Sequence, residues 1–399
     1  MKKTRKARVF FLICCLLLSL SGCLPKAEKE SGITQKLPER QIAVSEEALY
    51  YGYQSLSKEE QEVYRQIAEG LEQQEAEIKI TSLSEDRLIT VFNMVMIDHP
   101  EYFWIEGEFQ YTTVEDLTEN TKTVTQIMPV YTVEKEQTEE PKQEIEKQAE
   151  EWIAAIDVSA DTYEKIKSVY ELLIREVEYD ESSFYNQTIQ SVFLEKKTVC
   201  MGYAKATQYL LNKMGIFCTL VTGNILDETS SSHAWNLVQI GENYYYVDTT
   251  WGSPGYNAKG DREDAISYSY LCCSDKIISA THKANEDILL PSCTDESYHY
   301  YKRKGCWYEI YDKERICEVL KRDIEANSQK TELCFQEEAG YQQAVQDIVE
   351  GDLIQEVIQT TTVFSPGEQI SWQISYGGKD NLLVILWKRT CKFLGIVLS

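Results

Sequence analysis

The chain has 399 residues, of which 43% are hydrophobic and 26% charged, and its formal net charge is -25. That acidic balance excludes nucleic-acid binding and electrostatic docking on anionic lipid as main roles, because both need a basic face. It suits a solvated, exposed surface.

The first residues read as an address. Lys2, Lys3, Arg5, Lys6 and Arg8 form a basic region, and Val9 to Leu20 is an apolar run too short to span a bilayer comfortably. The motif Leu20-Ser21-Gly22-Cys23 follows and resembles the lipobox of bacterial lipoproteins. The resemblance implies cleavage before Cys23, lipidation of Cys23, and a mature chain on the outer face of the bacterial cytoplasmic membrane. Loss of the five basic leader residues, with no acid among them, takes the charge of -25 to about -30. Residues 23–45 are polar, with Pro25, Gly32 and Pro38, and read as a tether.

Residues 46–150 read as an N-terminal α+β segment. Ser57 and Glu60 have the spacing of a capping box, and Val63, Tyr64, Ile67 and Leu71 predict an amphipathic helix behind it. A second helix is predicted from Glu85 to Met96, and strands from Phe103 to Thr113 and Thr123 to Val133. His99 to Trp104 reads as a helix stop followed by a buried strand, since Pro100 ends the pattern and aromatics follow. The charged run Glu134 to Lys147, with Pro141, reads as a solvated connection into a helix from Ile145 to Ile156.

Residues 151–285 carry the chemistry. Asp161 with Glu164 marks a helix start, and Tyr163, Ile166, Val169, Tyr170, Leu173, Ile174 and Val177 form its apolar stripe. Cys200 then heads a helix whose spacing runs through Tyr203, Ala206, Thr207, Leu210, Leu211 and Met214 to a stop at Gly215. Phe217 to Thr222 is a predicted strand ending at Gly223. Ala234 to Ile240 and Tyr244 to Thr249 form a hairpin around Gly241-Glu242. A two-residue turn puts Trp235 opposite Asp248 and His233 diagonal to it on the same face; a three-residue turn would shift that register. A thiol at a helix start, an imidazole and a carboxylate in this order suit nucleophilic catalysis. Alone, each has a plainer role: Cys200 as buried thiol, His233 as core histidine, Asp248 as strand-end cap. The chain has only four histidines, at positions 99, 233, 282 and 299, and the conjunction favours a site.

The motifs Cys-x-Gly-Tyr-Ala, His-Ala-Trp-Asn and Tyr-Tyr-x-Val-Asp-x-Thr-Trp-Gly, between about Asp161 and His282, resemble the transglutaminase-like superfamily of papain-like folds. The resemblance implies an α+β core with a nucleophile helix packed on an antiparallel sheet. It further implies Cys200 as nucleophile, His233 as base and then acid, and Asp248 as orienting carboxylate. Family members add an oxyanion donor, for which Gln187 is favoured over Gln190; the plainer reading of both is as polar loop residues. His282 resembles a family position and is treated as structural.

After the leader cysteines 14 and 15 and the lipidated Cys23, nine cysteines remain: 200, 218, 272, 273, 293, 306, 317, 334 and 391. Their odd number leaves at least one unpaired in a monomer, and disulfides among the others are open. Cys272 and Cys273 read as one core and one edge residue. No Cys-x-x-Cys pair or histidine cluster suggests a metal, and no cofactor is implied. Gly252 to Asp264 reads as a Gly-rich cleft loop. Residues 286–399 read as a C-terminal α+β scaffold. It is expected to hold a hairpin at Tyr298 to Tyr311, helices at Lys313 to Ala326 and Ala339 to Ile358, and strands at Ile370 to Tyr376 and Leu382 to Trp387.

The expected function is a membrane-anchored extracellular cysteine acyl-transfer enzyme acting on protein or peptide amides, as a peptidase, an amidase or a cross-linking transglutaminase. Its partners would be a protein or peptide substrate, with cell-wall peptide one such target, and the membrane through the N-terminal lipid. The alternative is a non-catalytic protein- or cell-wall-binding module on the same scaffold.

Overall fold

The computed structural model of the chain describes residues 3–8, 46–116, 121–227, 230–253, 266–286, 288–361, 368–376 and 381–391. The apolar leader, the lipobox with Cys23, and most of the Gly252–Asp264 loop lie outside them. In the full chain the basic stretch Lys3–Arg8 (β1) runs as an edge strand. Among the described residues, no helix is long and apolar enough to cross a membrane.

The N-terminal part keeps its predicted helices and strands, with one added strand and one longer helix. Helix α1 (Lys58–Glu72) starts at a complete capping box between Ser57 and Glu60 and buries Val63, Tyr64, Ile67 and Leu71. Strand β2 (Ile78–Leu83), which the sequence did not announce, pairs at the sheet edge before helix α2 (Glu85–Asp98). Strands β3 (Ile105–Asp116) and β4 (Thr121–Tyr131) complete a sheet of order β1-β3-β4-β2. The charged run behind it is not an open connection. Helix α3 (Glu139–Ala154) begins six residues earlier than the expected Ile145, and Pro141 lies inside its first turn. Proline is tolerated there because a first-turn N–H has no intrahelical acceptor anyway.

The middle part is a five-stranded antiparallel sheet covered by two helices. Helix α4 (Thr162–Glu176) is capped by Asp161, whose carboxylate accepts from Glu164 N–H at 2.9 Å. Helix α5 (Cys200–Lys213) ends before Gly215, whose φ of +72° suits glycine. From one edge of the sheet to the other, the strands run β8 (Leu271–Cys273), β7 (Asn243–Val247), β6 (Ser232–Ile240), β5 (Cys218–Ile225) and β9 (His282–Ala284). Ile240 pairs with Asn243, so the hairpin turn is the two-residue Gly241-Glu242. Gly223 does not end its strand, as expected, but lies within β5. A Cβ there would sit 2.1 Å from the Lys283 carbonyl and 2.7 Å from the Trp235 ring. Glycine lets β9 and the Trp235 indole close over β5.

A core of α4, α5, α2 and the N-terminal aromatics fills one side of this sheet. Val221, Ile225, Trp235, Leu237, Tyr246 and Trp251 form a separate cluster on the other. Cys272 and Cys273 are both fully buried, one in each cluster, rather than one core and one edge. The register slips between Leu271 and Cys273 and Cys272 has φ +55°, so a bulge turns both thiols inward.

The C-terminal part has its own core and sheet. The expected hairpin at Tyr298 to Tyr311 is instead a helical turn, Tyr300–Arg303, followed by the short strand β10 (Trp307–Tyr308). Gly305, at φ +69°, terminates that turn instead of linking two strands. Helix α6 (Lys313–Glu325) leads to strand β11 (Lys330–Phe335), which the sequence reading missed and which runs parallel to β10. The expected helix Ala339–Ile358 is broken at Gly351 into α7 (Glu338–Val345, continued by a π turn) and α8 (Leu353–Thr360). Strands β12 (Glu368–Ser375) and β13 (Leu382–Cys391) close a sheet of order β10-β11-β13-β12. The architecture throughout is α+β.

Candidate active site

Cys200 opens α5. Its N-cap, Val199, makes no side-chain capping bond, so the N-cap residue leaves the first-turn N–H groups at the thiol uncapped. Gly202 lets this turn pack: a Cβ there would lie 1.8 Å from the Thr198 hydroxyl. Asn236 on β6 donates to the Ala204 carbonyl at 2.9 Å, pinning the helix to the strand that carries His233.

Side-chain parity on the sheet gathers the polar groups. His233, Trp235 and Leu237 share one face of β6, Tyr246 and Asp248 share it at the end of β7, and His282 stands cross-strand from Ile225 on the same face. His233 Nε2 donates to Asp248 Oδ2 at 2.7 Å, which leaves Nδ1 to meet the Cys200 thiol. Asp248 is fully buried, and its Oδ1 accepts from Trp251 N–H at 3.0 Å, so it also caps the turn Thr249–Gly252. Burial alone would push the His233 pKa down. The Asp248 charge and hydrogen bond, with Cys200 beside the ring, outweigh it and lift the pKa to about 10. Burial would likewise raise the Asp248 carboxyl, but the two histidines hold it well below the usual carboxylate range. This favours imidazolium beside carboxylate at neutral pH.

Of the cysteines among the described residues, the eight other than Cys391 are free of disulfides, and of these eight all but Cys200 and Cys317 are buried. Burial pushes the thiols of Cys218, Cys272, Cys273, Cys293 and Cys306 up, which keeps them protonated.

Sequence reasoning treated His282 as structural and did not place it on the site's carboxylate. His282 Nε2 donates to the same Asp248 Oδ2 at 3.0 Å. Nothing local announces this, because His282 reaches the carboxylate only through the pairing of β9 with β5. Among the described residues, His233, Asp248 and His282 form a group near enough to hold a cation. Their 2.7 and 3.0 Å separations are instead those of proton-sharing hydrogen bonds, shorter than the ~3.3 Å between ligands of a tetrahedral zinc.

The oxyanion candidates lie on the loop before α5. That loop is tied to the nucleophile's turn by the Thr198 hydroxyl, which donates to the Asn186 carbonyl at 2.9 Å. Gln187 is half-buried, and its amide donates to Asn186 Oδ1 at 3.0 Å. Gln190 precedes the π-helical turn Ser191–Glu195, and its Oε1 is buried without a hydrogen bond. The other histidines are apart from the site: His299 donates to the Ser269 carbonyl, and burial pulls its pKa down to about 4.

Residues 150–249 match the transglutaminase-like superfamily. This stretch is a transglutaminase-like domain. No curated protein matches the chain. Among solved structures it is similar to a TGase, at 15% identity over 40% of this chain and 47% of that one, with a TM-score of 0.27. It is also similar to a candidate cysteine protease from Cytophaga hutchinsonii, at 17% identity over 35% and 56%, with a TM-score of 0.25. A third is the periplasmic domain of TgpA from Pseudomonas aeruginosa bound to ethylmercury, at 13% identity over 36% and 72%, with a TM-score of 0.23. The chain spans about half the length of the first two. The transglutaminase-like domain contains Cys200, His233 and Asp248, whereas His282 lies beyond the matched residues.

Proposed function

We propose that the mature chain is a lipid-anchored cysteine acyl-transfer enzyme on the outer face of the bacterial cytoplasmic membrane, acting on protein or peptide amides. The observation that carries this reading is the Cys200 thiol against a buried imidazole whose far nitrogen is held by Asp248. The lipobox motif supports the location.

The chemistry follows from the geometry. With the thiol proton already on His233 Nδ1, the Cys200 thiolate attacks the amide carbonyl carbon. The oxyanion meets the free N–H groups at the start of α5. The C–N bond breaks as His233 returns its proton to the leaving amine, giving a thioester on Cys200. Water, deprotonated by His233, then releases a carboxylic acid; a second amine in its place yields a new amide. Hydrolysis and transamidation use the same three residues, and the scheme needs no cofactor.

The test is alkylation of Cys200 by iodoacetamide in the mature chain from about pH 4 to about pH 10, followed by mass spectrometry. Fast reaction near pH 6 that falls about tenfold or more in His233→Ala supports the pair. Slow, ordinary thiol behaviour, identical in both proteins, would overturn it and favour the binding-module alternative.

A further inference from the structure

Asp248 serves two histidines with one oxygen. His233 and His282 each point Nε2 at Oδ2, at 2.7 and 3.0 Å, and both rings are buried. The His282 ring is fixed on every side. Its Nδ1 meets the Thr281 hydroxyl at 2.7 Å, and Thr281 in turn meets the Tyr270 hydroxyl at 3.1 Å. Trp251, Trp235 and Tyr270 surround the ring, with centroids 4.6, 5.1 and 5.4 Å away. A side chain held this firmly presents one N–H in one direction. A carboxylate has only acceptor sites, so the proton of the His282–Asp248 bond belongs to His282.

Two consequences follow from electrostatics. A second N–H on Oδ2 stabilises the ionised carboxylate and fixes its rotation toward His233. The same N–H also places positive charge density beside the His233 proton and draws electron density from the oxygen that grips it. Asp248 therefore holds the His233 proton less tightly than a carboxylate devoted to one histidine would. An acid that must surrender its proton to a leaving amine benefits from that weakening.

We infer that His282 is a positioning residue that orients Asp248 and tempers the basicity of His233 by sharing the oxygen His233 uses. The inference rests on the Cys200–His233 pairing proposed above and adds to it a residue outside the matched domain. The titratable groups facing this cluster are Cys200 from α5, Cys273 from β8, Tyr270 before β8, and the three members themselves. Cys273 is kept protonated by burial, so it contributes no competing charge near neutral pH.

The alkylation profile of Cys200, extended to about pH 12, tests this without a substrate. Its upper inflection reports loss of the His233 proton. His282→Met, apolar and flexible enough to fill the space, should move that inflection up by about half a pH unit or more, the equivalent of one neutral hydrogen bond. His282→Gln, whose amide N–H can reach the Nε2 position, should restore the wild-type inflection. Thr281→Val, which leaves His282 in place but frees its ring, should shift the inflection in the same direction by less. An inflection unmoved in a folded His282→Met protein, or moved equally in His282→Gln, would reduce His282 to a packing residue and overturn the inference. If His282→Met does not fold, Thr281→Val decides: no shift there overturns the inference. A wild-type profile with no dependence on His233 would instead fail both readings together.

Discussion

Asp98 and Asp248 are both completely buried next to histidines, yet their carboxyls are driven in opposite directions. Asp98 accepts from the Gly52 and Tyr53 N–H groups at 2.9 and 2.7 Å and from the Tyr64 hydroxyl at 3.0 Å. Burial outweighs these bonds and pushes its pKa up to about 6. Asp248 suffers the same burial but faces two imidazole N–H donors, which hold it ionised. Their histidines differ in the same way. His99 turns Nδ1 to Glu101 at 2.7 Å, lies flat on Tyr102 at 4.6 Å, and leaves Nε2 buried without a hydrogen bond. His233 spends one nitrogen on a carboxylate and the other on a thiol. A histidine beside an acid is therefore not in itself a site. What separates the two is a reactive group at the second nitrogen and a fully buried carboxylate on the first.

The same substitution at both carboxylates should break the comparison most sharply. Asp248→Asn leaves two buried imidazoles without their counter-charge and should cost about 3 kcal/mol or more in denaturant unfolding. It should also remove fast Cys200 alkylation near pH 6. Asp98→Asn should leave that alkylation within about twofold of wild type, because it touches only amide and phenol donors. Equal effects on Cys200 reactivity would show that the two clusters are coupled.

The pH dependence of stability should sharpen it next. A raised carboxyl pKa means that the folded state binds the proton more tightly, so the Asp98 contribution is complete below the ordinary carboxyl value of 3.8 and is lost as pH rises through about 6. The stability of Asp98→Asn relative to wild type should therefore improve steadily across that window in paired melts. His233, with its pKa raised from 6.5, has the same sign at higher pH: its contribution is whole below 6.5 and is lost as pH climbs through about 10. A flat difference between pH 4 and 6 would show that Asp98 does not titrate there.

The smallest effect should come from His99→Phe. A phenyl ring keeps the stack on Tyr102 and discards a nitrogen with no hydrogen bond, at the loss of the Glu101 contact. About 1 kcal/mol or less in chemical denaturation, with unchanged Cys200 alkylation, is expected. A loss comparable to that of Asp248→Asn would mean that the His99 cluster does more than pack.

Much of the site could be read along the chain because its signals are local. The thiol at a helix start and the apolar stripe behind it mark α5, and the Gly241-Glu242 turn sets the register that puts His233 diagonal to Asp248. The capping box at Ser57 and the Asp161 cap were legible for the same reason: both are contacts between residues three apart. The failures are long-range. Strand β2 and strand β11 are short and gain their backbone partners from β4 and β13, far along the chain. Gly223 looked like a strand end because a glycine inside a strand makes sense only once Trp235 and β9 are seen lying across it.

The sequence by itself determined which residues are candidates for chemistry in this protein: one thiol at a helix start, and one histidine and one acid at strand ends, in an acidic chain. Side-chain period and turn length suffice for that, since they act over a few residues. Only the tertiary structure decided that His282 shares the carboxylate, that Cys272 and Cys273 both face inward, and that the Asp98 and Asp248 carboxyls are shifted in opposite directions. Those outcomes depend on burial and on hydrogen-bond partners from distant segments, and both exist only once the chain has closed around them.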